Sequence, residues 1–313
     1  MRKLCALVAI VCFASAGHAA TVWIDTDASI GSPIREVDDA FALVLAFHSP
    51  EIQIAGLSTT YGNAPLDQTT RVARGLVRRF GRSGGVTVDH VFAGARSAHD
   101  VDRKSAASEA LAAALQKRKV TYIALGPLTN LATFLELHPE AAHRIERVIF
   151  VGGQMEGASL AFGPTRSFHI HDANVFKDAA ATKRVLGSNI PITLVPIATA
   201  ANLLVDGTDL RRLERSGDAG SYLSRRSKIW LWFWRHIVKT NGGPIFDALA
   251  IVPTARLELL SIKKRYARVD DAGNLVVTSR LINGARPVRY CTGFAPETKR
   301  FVLERLMARR SRE

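Results

Sequence analysis

The stretch Val22 to Asp27 reads VWIDTD, and Asp38 to Ala46 reads DDAFALVLA. The first is a short apolar strand that ends in acidic residues, and the second opens an apolar-periodic helix with two more. Four carboxylates therefore meet where a strand ends and a helix begins, which is where open α/β sheets bind their ligands. They are Asp25, Asp27, Asp38 and Asp39.

This cluster of carboxylates predicts a metal site. Like charges crowded at low dielectric repel each other unless they are protonated or neutralised by a cation. Because no Cys or His accompanies the oxygen donors, a hard ion is favoured, Ca²⁺ or Mg²⁺. The alternative is that Asp27 and Asp38 only cap turns and a helix N-terminus, which explains a single Asp better than four.

The N-terminal residues resemble a secretory signal. Arg2 and Lys3 precede the apolar run Leu4 to Ala14, and small residues follow, with a cleavage site after Ala19. The apolar run is too short to be a stable membrane anchor. We therefore expect a signal peptide over residues 1–19 and an exported protein, periplasmic or secreted.

The remainder, residues 20–313, is expected to form a single domain, because nothing resembling a linker divides it. Without the signal only Cys291 remains, so the fold depends on its core rather than on an intramolecular disulfide. The formal charge of +14 comes from scattered Lys and Arg without interleaved aromatics. Polynucleotide binding is therefore not expected, and the basic surface at most steers anionic partners.

Apolar strands alternate with helices along the first two thirds of the chain. This order predicts right-handed crossovers and an α/β fold, with a mainly parallel central sheet and helices on both faces. A turn at Asp271 to Asn274 predicts a small β-hairpin near the C-terminus. The predicted strands are 22–24, 52–59, 86–93, 120–125, 145–151 and 190–196.

Two later segments remain open to more than one interpretation. Residues 154–171 predict a long loop at the edge of the site, and loops of that length are usually functional. Residues 219–240 predict one helix that carries Trp230 and Trp234 one turn apart. These aromatics are typical of core packing, and a wall for a nucleobase is the alternative.

Taken in order, these motifs resemble the inosine–uridine-type nucleoside hydrolases over nearly the whole mature chain. The resemblance lies in Asp-Thr-Asp after a strand, Asp-Asp-Ala before a helix, Gly-Pro-Leu-Thr-Asn, a strand into Gly-Gly, and a late Gly-Gly-Pro before an Asp-led apolar helix. The resemblance implies one bound Ca²⁺ and hydrolysis of ribonucleosides to free base and ribose. Whether the protein forms a homo-oligomer is left open.

The resemblance also implies a role for individual residues. The Ca²⁺ ligands would be Asp27, Asp39, Asp247 and the backbone carbonyl of Leu125. Asp25 would support these ligands, and a water would give its proton to Asp27 and attack the anomeric carbon. The implied substrate-binding residues are Asp38, Asn63, Asp172, Asn174 and Phe246.

Two departures from the family pattern matter. Ala28 to Val37 inserts several residues between the first two acidic motifs, so the extra residues must bulge outward if the ligands are to converge. Many members carry a His before the last ligand Asp as the leaving-group acid, and Phe246 stands there in this chain. A purine-preferring branch has an aromatic residue at that place, so Phe246 favours purine nucleosides.

Two other functions compete with this one. Asp25 to Ser29 after a strand also resembles the first motif of haloacid-dehalogenase-type phosphatases, with Asp25 as nucleophile and Mg²⁺ bound. Asp38 and Asp39 come too early for that family's distant acidic pair. The non-enzymatic alternative is an exported Ca²⁺-dependent binder of nucleosides or ribose, in which the insertion has abolished turnover.

Overall fold

The computed structural model describes residues 19–31 and 35–308. The signal predicted for residues 1–19 therefore lies almost wholly outside the described residues. The described strands are β1 Ala20–Thr26, β2 Ile52–Thr59, β3 Val91–Ala93, β4 Val120–Ala124, β5 Ile145–Val151, β6 Gln154–Met155, β7 Ala161–Phe162, β8 Phe168–His169, β9 Ile192–Val195, β10 Leu204–Val205, β11 Gly243–Pro244, β12 Leu260–Val269, β13 Leu275–Thr278 and β14 Arg286–Phe294.

Helices follow most strands of the first two thirds of the chain and dominate the segment before β12. The described α-helices are α1 Asp38–Phe47, α2 Leu66–Phe80, α3 Ala106–Lys117, α4 Thr129–Leu137, α5 Ala173–Lys177, α6 Ala179–Gly187, α7 Ile197–Ala200, α8 Gly207–Glu214, α9 Asp218–Arg226, α10 Lys228–His236, α11 Ala248–Ala255 and α12 Glu297–Leu306.

The central sheet has ten strands in the order β3-β2-β1-β4-β5-β9-β14-β12-β13-β6. The strands from β3 to β9 are parallel, and β12 runs antiparallel to both β13 and β14. This confirms the predicted mainly parallel sheet and the C-terminal hairpin. Alternation along β1 separates two hydrophobic cores, with Val22 and Ile24 in one and Trp23 in the other.

The polar ends of the strands lie at one edge because the strands are parallel. Asp27 follows β1, Asn63 follows β2, Leu125 follows β4, and Gly152 follows β5. Helix α1 is buried along its whole length, including Asp38 and Asp39 in its first turn. The fold thus carries the acidic start of α1 to the carboxyl edge of the sheet.

Several predicted bounds were wrong. The helix expected over residues 219–240 is interrupted at Ser227, whose N–H and hydroxyl both bond to the Leu223 carbonyl. The strand expected over residues 86–93 covers only 91–93, and the long loop 154–171 contains β6, β7 and β8. Among the described residues, no helix is both long and apolar enough to cross a bilayer.

Candidate active site

Three carboxylates converge at the carboxyl edge of the sheet. Asp38, Asp39 and Asp247 each offer an oxygen, and these oxygens lie within 4.8 Å of one another. All three residues are buried, with exposed fractions of 4% or less. Asp247 lies directly before α11, which packs against α1, so two distant parts of the chain meet here.

Asp27 lies beside this trio and is held by Asn63. The Asp27 carboxylate accepts hydrogen bonds from the Asn63 backbone N–H at 2.7 Å and from its side-chain amide at 3.3 Å. Asp39 accepts from the Asp27 N–H at 3.2 Å and from the Thr26 hydroxyl. The neighbouring Gly62 has a φ of +155°, and a Cβ there would lie 1.8 Å from Asp27 Oδ2. Only glycine leaves room for the Asp27 carboxylate in this place.

Asp25 is fully buried beneath these residues. Its Oδ1 accepts from the Ser58 hydroxyl at 2.7 Å and from the Asn130 amide at 2.8 Å, and its Oδ2 has no hydrogen-bond partner. The Ser58 hydroxyl in turn accepts from the Trp23 indole at 2.9 Å. Asp25 is therefore held by side chains of β2 and α4.

The carboxyl groups of the site have raised pKa values. Burial is the largest cause of the raised pKa at each of them, and mutual repulsion adds to it at Asp27, Asp38 and Asp247, whose pKa values lie well above the ordinary range. Burial raises the pKa of Asp25 to about 6 and also raises that of Asp39. Such a cluster is stable as anions only when a cation neutralises it.

The residues present fit a divalent cation. The donors are all oxygens, as Ca²⁺ and Mg²⁺ prefer. Asp38 Oδ1 is buried without any hydrogen-bond partner, as expected for an oxygen that has a ligand other than protein. Asp39 and Asp247 of the predicted ligand set lie together in the structure. Asp38 lies with them, although the resemblance implied that it binds ribose.

Two predicted ligands remain, Asp27, which lies beside the trio but is not one of its three carboxylates, and the Leu125 carbonyl, which follows β4. This carbonyl accepts a hydrogen bond of 2.7 Å from the Asn174 amide, and the same amide donates to the Val151 carbonyl at 3.0 Å. Asn174 thus ties together the ends of two adjacent strands. Asp172 accepts from the N–H groups of Gly153 and Val175, so both oxygens are engaged by backbone, as in a helix cap.

A cavity of about 370 Å³ opens directly onto the carboxylates. Asp38 and Asp247 line it, together with Asn63, Leu125 and Asn174. Its lining also includes Phe246, which is 6% exposed and whose ring meets Trp234 edge-on at 6.0 Å. Polar groups that suit a sugar and aromatic rings that suit a base therefore line one space.

The sequence interpretation missed some residues of this cavity. Glu36 and Lys177 line it, as do Phe168 and Phe233. Asn130 was noted only as part of a turn motif, yet it bonds to Asp25. The proximity of Glu36 to Asp38 in the chain was a usable signal, but Glu36 falls in the stretch interpreted only as an insertion.

A parallel α/β sheet with a carboxylate cluster and a partly aromatic cavity at its carboxyl edge defines a class of α/β proteins that bind small molecules at the ends of their strands. Within that class, the chain belongs to the inosine-uridine preferring nucleoside hydrolases, whose family model matches residues 22–298. It is accordingly an enzyme, a nucleoside N-ribohydrolase. Family membership sets aside the phosphatase alternative.

Named relatives agree with this assignment. The chain is 29% identical over 280 residues to uridine nucleosidase 1 of Arabidopsis thaliana, covering 80% of this chain and 78% of the relative. It is 25% identical over 280 residues to the pyrimidine-specific ribonucleoside hydrolase RihA of Citrobacter koseri, covering 80% and 88%. Among solved structures, a plant nucleoside hydrolase superposes with a TM-score of 0.78 at 25% identity, over 93% of this chain and 99% of that one.

Proposed function

We propose that this enzyme is a Ca²⁺-dependent nucleoside N-ribohydrolase that favours purine nucleosides. The observation that carries the proposal is the convergence of Asp38, Asp39 and Asp247, whose oxygens lie within 4.8 Å of one another, with Asp38 and Asp247 lining the cavity. Asp39 and Asp247 would hold the ion, with Asp27, Asp38 and the Leu125 carbonyl as the remaining candidates. When bound, Ca²⁺ supplies charge neutralisation and Lewis acidity for a water and for the sugar hydroxyls.

Asp27 is the residue assigned to proton transfer. Its carboxylate is buried next to the trio and oriented by two hydrogen bonds from Asn63. Burial and the repulsion from Asp39 raise the pKa of Asp27, which favours the acceptance of a proton by its carboxylate. In this role Asp27 takes a proton from the attacking water and holds it at a carboxylate oxygen.

The carboxylates also stabilise positive charge on the sugar. Cleavage of an N-glycosidic bond passes through an oxocarbenium-like state, and nearby anions in a desolvated site lower its free energy. Asp38 would orient the ribose hydroxyl pair, and a fixed sugar aligns the water with the bond that breaks. Asn63 and Asn174 line the cavity and complete the proposed sugar site. Asp172, which the resemblance also gave to the sugar, is not among the residues that line the cavity, and its oxygens accept from the Gly153 and Val175 N–H groups.

The preference for purines rests on the aromatic residues of the cavity. They are Phe168, Phe233, Trp234 and Phe246, and an aromatic ring can stack over more area of a purine than of a pyrimidine. Phe246, which precedes Asp247, cannot donate a proton to the leaving base. It can therefore contribute only by stacking on the base. The names of the two relatives above point to pyrimidines, which makes the base preference a matter for direct measurement.

We also propose that the enzyme is exported. The basis is the sequence of residues 1–19, a basic start, an apolar run and small residues before the cleavage site. Expression of the full chain in a bacterium with fractionation and N-terminal sequencing tests this. A mature N-terminus at Ala20 in the periplasmic fraction is expected, and an intact chain in the cytoplasm contradicts export.

The function is tested with purified mature protein and a panel of purine and pyrimidine ribonucleosides. Free base is measured by chromatography, with and without chelator, and with Ca²⁺ added back. We expect base release that chelation abolishes and Ca²⁺ restores, faster for inosine than for uridine. Turnover that survives exhaustive chelation contradicts the metal assignment, and tight nucleoside binding without base release favours the binding-protein alternative.

A further inference from the structure

Glu36 contributes a further carboxylate to the cavity from the inserted segment. It lines the same space as Asp38 and Asp247. A buried anion next to three others is costly unless it serves a cation or is held by a donor.

Trp230 of α10 provides that donor. Its indole N–H donates a hydrogen bond of 2.8 Å to Glu36 Oε2. Trp230 is itself 4% exposed, so the bond is shielded from water on the side of the helix. A charge-assisted hydrogen bond of this kind fixes the carboxylate more firmly than a neutral one would.

The ring of Trp230 also contacts the segment that leads to Asp247. A Cβ built on Gly243 would lie 2.2 Å from the indole ring, so the ring lies directly against this backbone. Gly243 begins the short run that continues through Phe246 to Asp247. One side chain therefore touches both segments that supply the carboxylates of the trio.

The first residues of the insertion also contact this group of helices. A Cβ on Gly31 would lie 2.8 Å from the guanidinium of Arg226, the last residue of α9. The Ser29 hydroxyl donates to the Glu36 carbonyl at 2.9 Å and closes the described ends of the loop. The described ends of the insertion thus contact the helices α9 and α10, through Gly31 and Glu36.

We propose that Trp230 is a positioning residue for the ion site, acting through Glu36. The indole N–H holds the Glu36 carboxylate towards the trio, and the ring holds Gly243 and the backbone before Asp247. Glu36 then adds negative charge close to the ion without being assigned as a ligand. The inserted segment supports the metal site by this bond. The inference rests on the proposed metal-dependent function.

The test measures Ca²⁺ affinity directly, by calorimetry on chelator-treated mature protein. Glu36→Ala is expected to raise the Kd for Ca²⁺ about tenfold, because a nearby charge is lost. Trp230→Phe keeps a ring against Gly243 but removes the N–H, and we expect it to raise the Kd several-fold. In the Glu36→Ala background, Trp230→Phe should have little further effect, since its partner is already gone.

Two further variants sharpen the result. Gly243→Ala displaces the ring without removing the N–H, and it should also raise the Kd. Trp232→Phe changes a tryptophan of the same helix that is 54% exposed, and it should leave the Kd unchanged. Thermal unfolding of each variant is recorded in parallel to detect loss of stability.

Three outcomes overturn the inference. They are an unchanged Kd in Trp230→Phe, a lowered Tm with an unchanged Kd, and effects of Trp230→Phe and Glu36→Ala that simply add. The proposed function is judged separately from the wild-type enzyme. If that enzyme releases base in a chelator-sensitive manner while Trp230→Phe binds Ca²⁺ normally, the inference fails and the function stands.

Discussion

The side-chain amide of Asn63 donates to the carboxylates of both Asp27 and Asp39, at 3.3 and 3.1 Å. One neutral donor therefore joins the residue proposed as base to a residue proposed as ion ligand. Its backbone N–H makes a further bond of 2.7 Å to Asp27. Asn63 fixes the relative orientation of the two carboxylates, which otherwise repel each other.

Replacement of this amide should separate the two carboxylates. In Asn63→Leu the shape is nearly kept, but both side-chain donors are lost. Hydrogen bonds to charged groups contribute about 1.5 to 3 kcal/mol, so kcat/KM is expected to fall roughly 10- to 100-fold. The measurement is steady-state release of free base. Asn202→Leu, in the exposed turn after α7, is the control, and equal loss in both variants contradicts the role of Asn63.

Asp27→Asn tests the proton-transfer residue. The amide keeps the size of the side chain but is no basic group at neutral pH. We expect kcat to fall by a factor of about 10³ or more while thermal unfolding stays close to that of the wild type. Turnover within a few-fold of the wild type would mean that a group other than Asp27 accepts the proton of the attacking water.

Phe246→Ala tests the base end of the cavity. Loss of the ring should reduce kcat/KM for inosine more than for uridine, by about tenfold in the ratio, because a purine stacks over more area. Phe162→Ala is a matched control, since its ring meets Phe246 edge-on at 6.5 Å but lines a neighbouring cavity. An equal loss for both nucleosides in Phe246→Ala indicates packing rather than stacking.

The parts of the fold that the sequence predicted are those encoded locally. Apolar strands that end in polar residues predicted the parallel sheet and the edge that holds the site, because parallel strands have their carboxyl ends at the same edge. The place of Asp247 beside Asp39 came from the family resemblance, since periodicity alone cannot pair the two ends of a chain. The structure confirms the sheet and brings these two carboxylates together.

Contacts between side chains that are far apart in the chain could not be predicted from the sequence. Nothing in the insertion indicated that Glu36 would bond to Trp230, because that bond depends on how α10 packs. Asp172 and Asn174 occupy adjacent places, yet one is held by backbone N–H groups and the other bridges two strand ends. Such differences follow from the direction of each side chain at the start of α5, which residue type alone does not determine.

The pH dependence of stability gives a further test, through Asp25. Its pKa rises from 3.8 to about 6, chiefly because burial disfavours the charged form. A raised carboxyl pKa means that the folded state holds its proton after the unfolded chain has lost it. The free energy of unfolding of the metal-free protein therefore falls as the pH rises from about 4 to about 6, by roughly 3 kcal/mol for this group.

Asp25→Asn isolates this contribution from the rest of the charged surface. The Asn oxygen can still accept from Ser58 and Asn130, but the side chain has no charge to bury. In chelator, the variant should match the wild type near pH 4 and be more stable by up to about 3 kcal/mol at pH 7. Urea unfolding at several pH values measures the difference. A wild type that is equally or more stable than Asp25→Asn at pH 7 would mean that Asp25 ionises without cost, and that its burial does not control its charge.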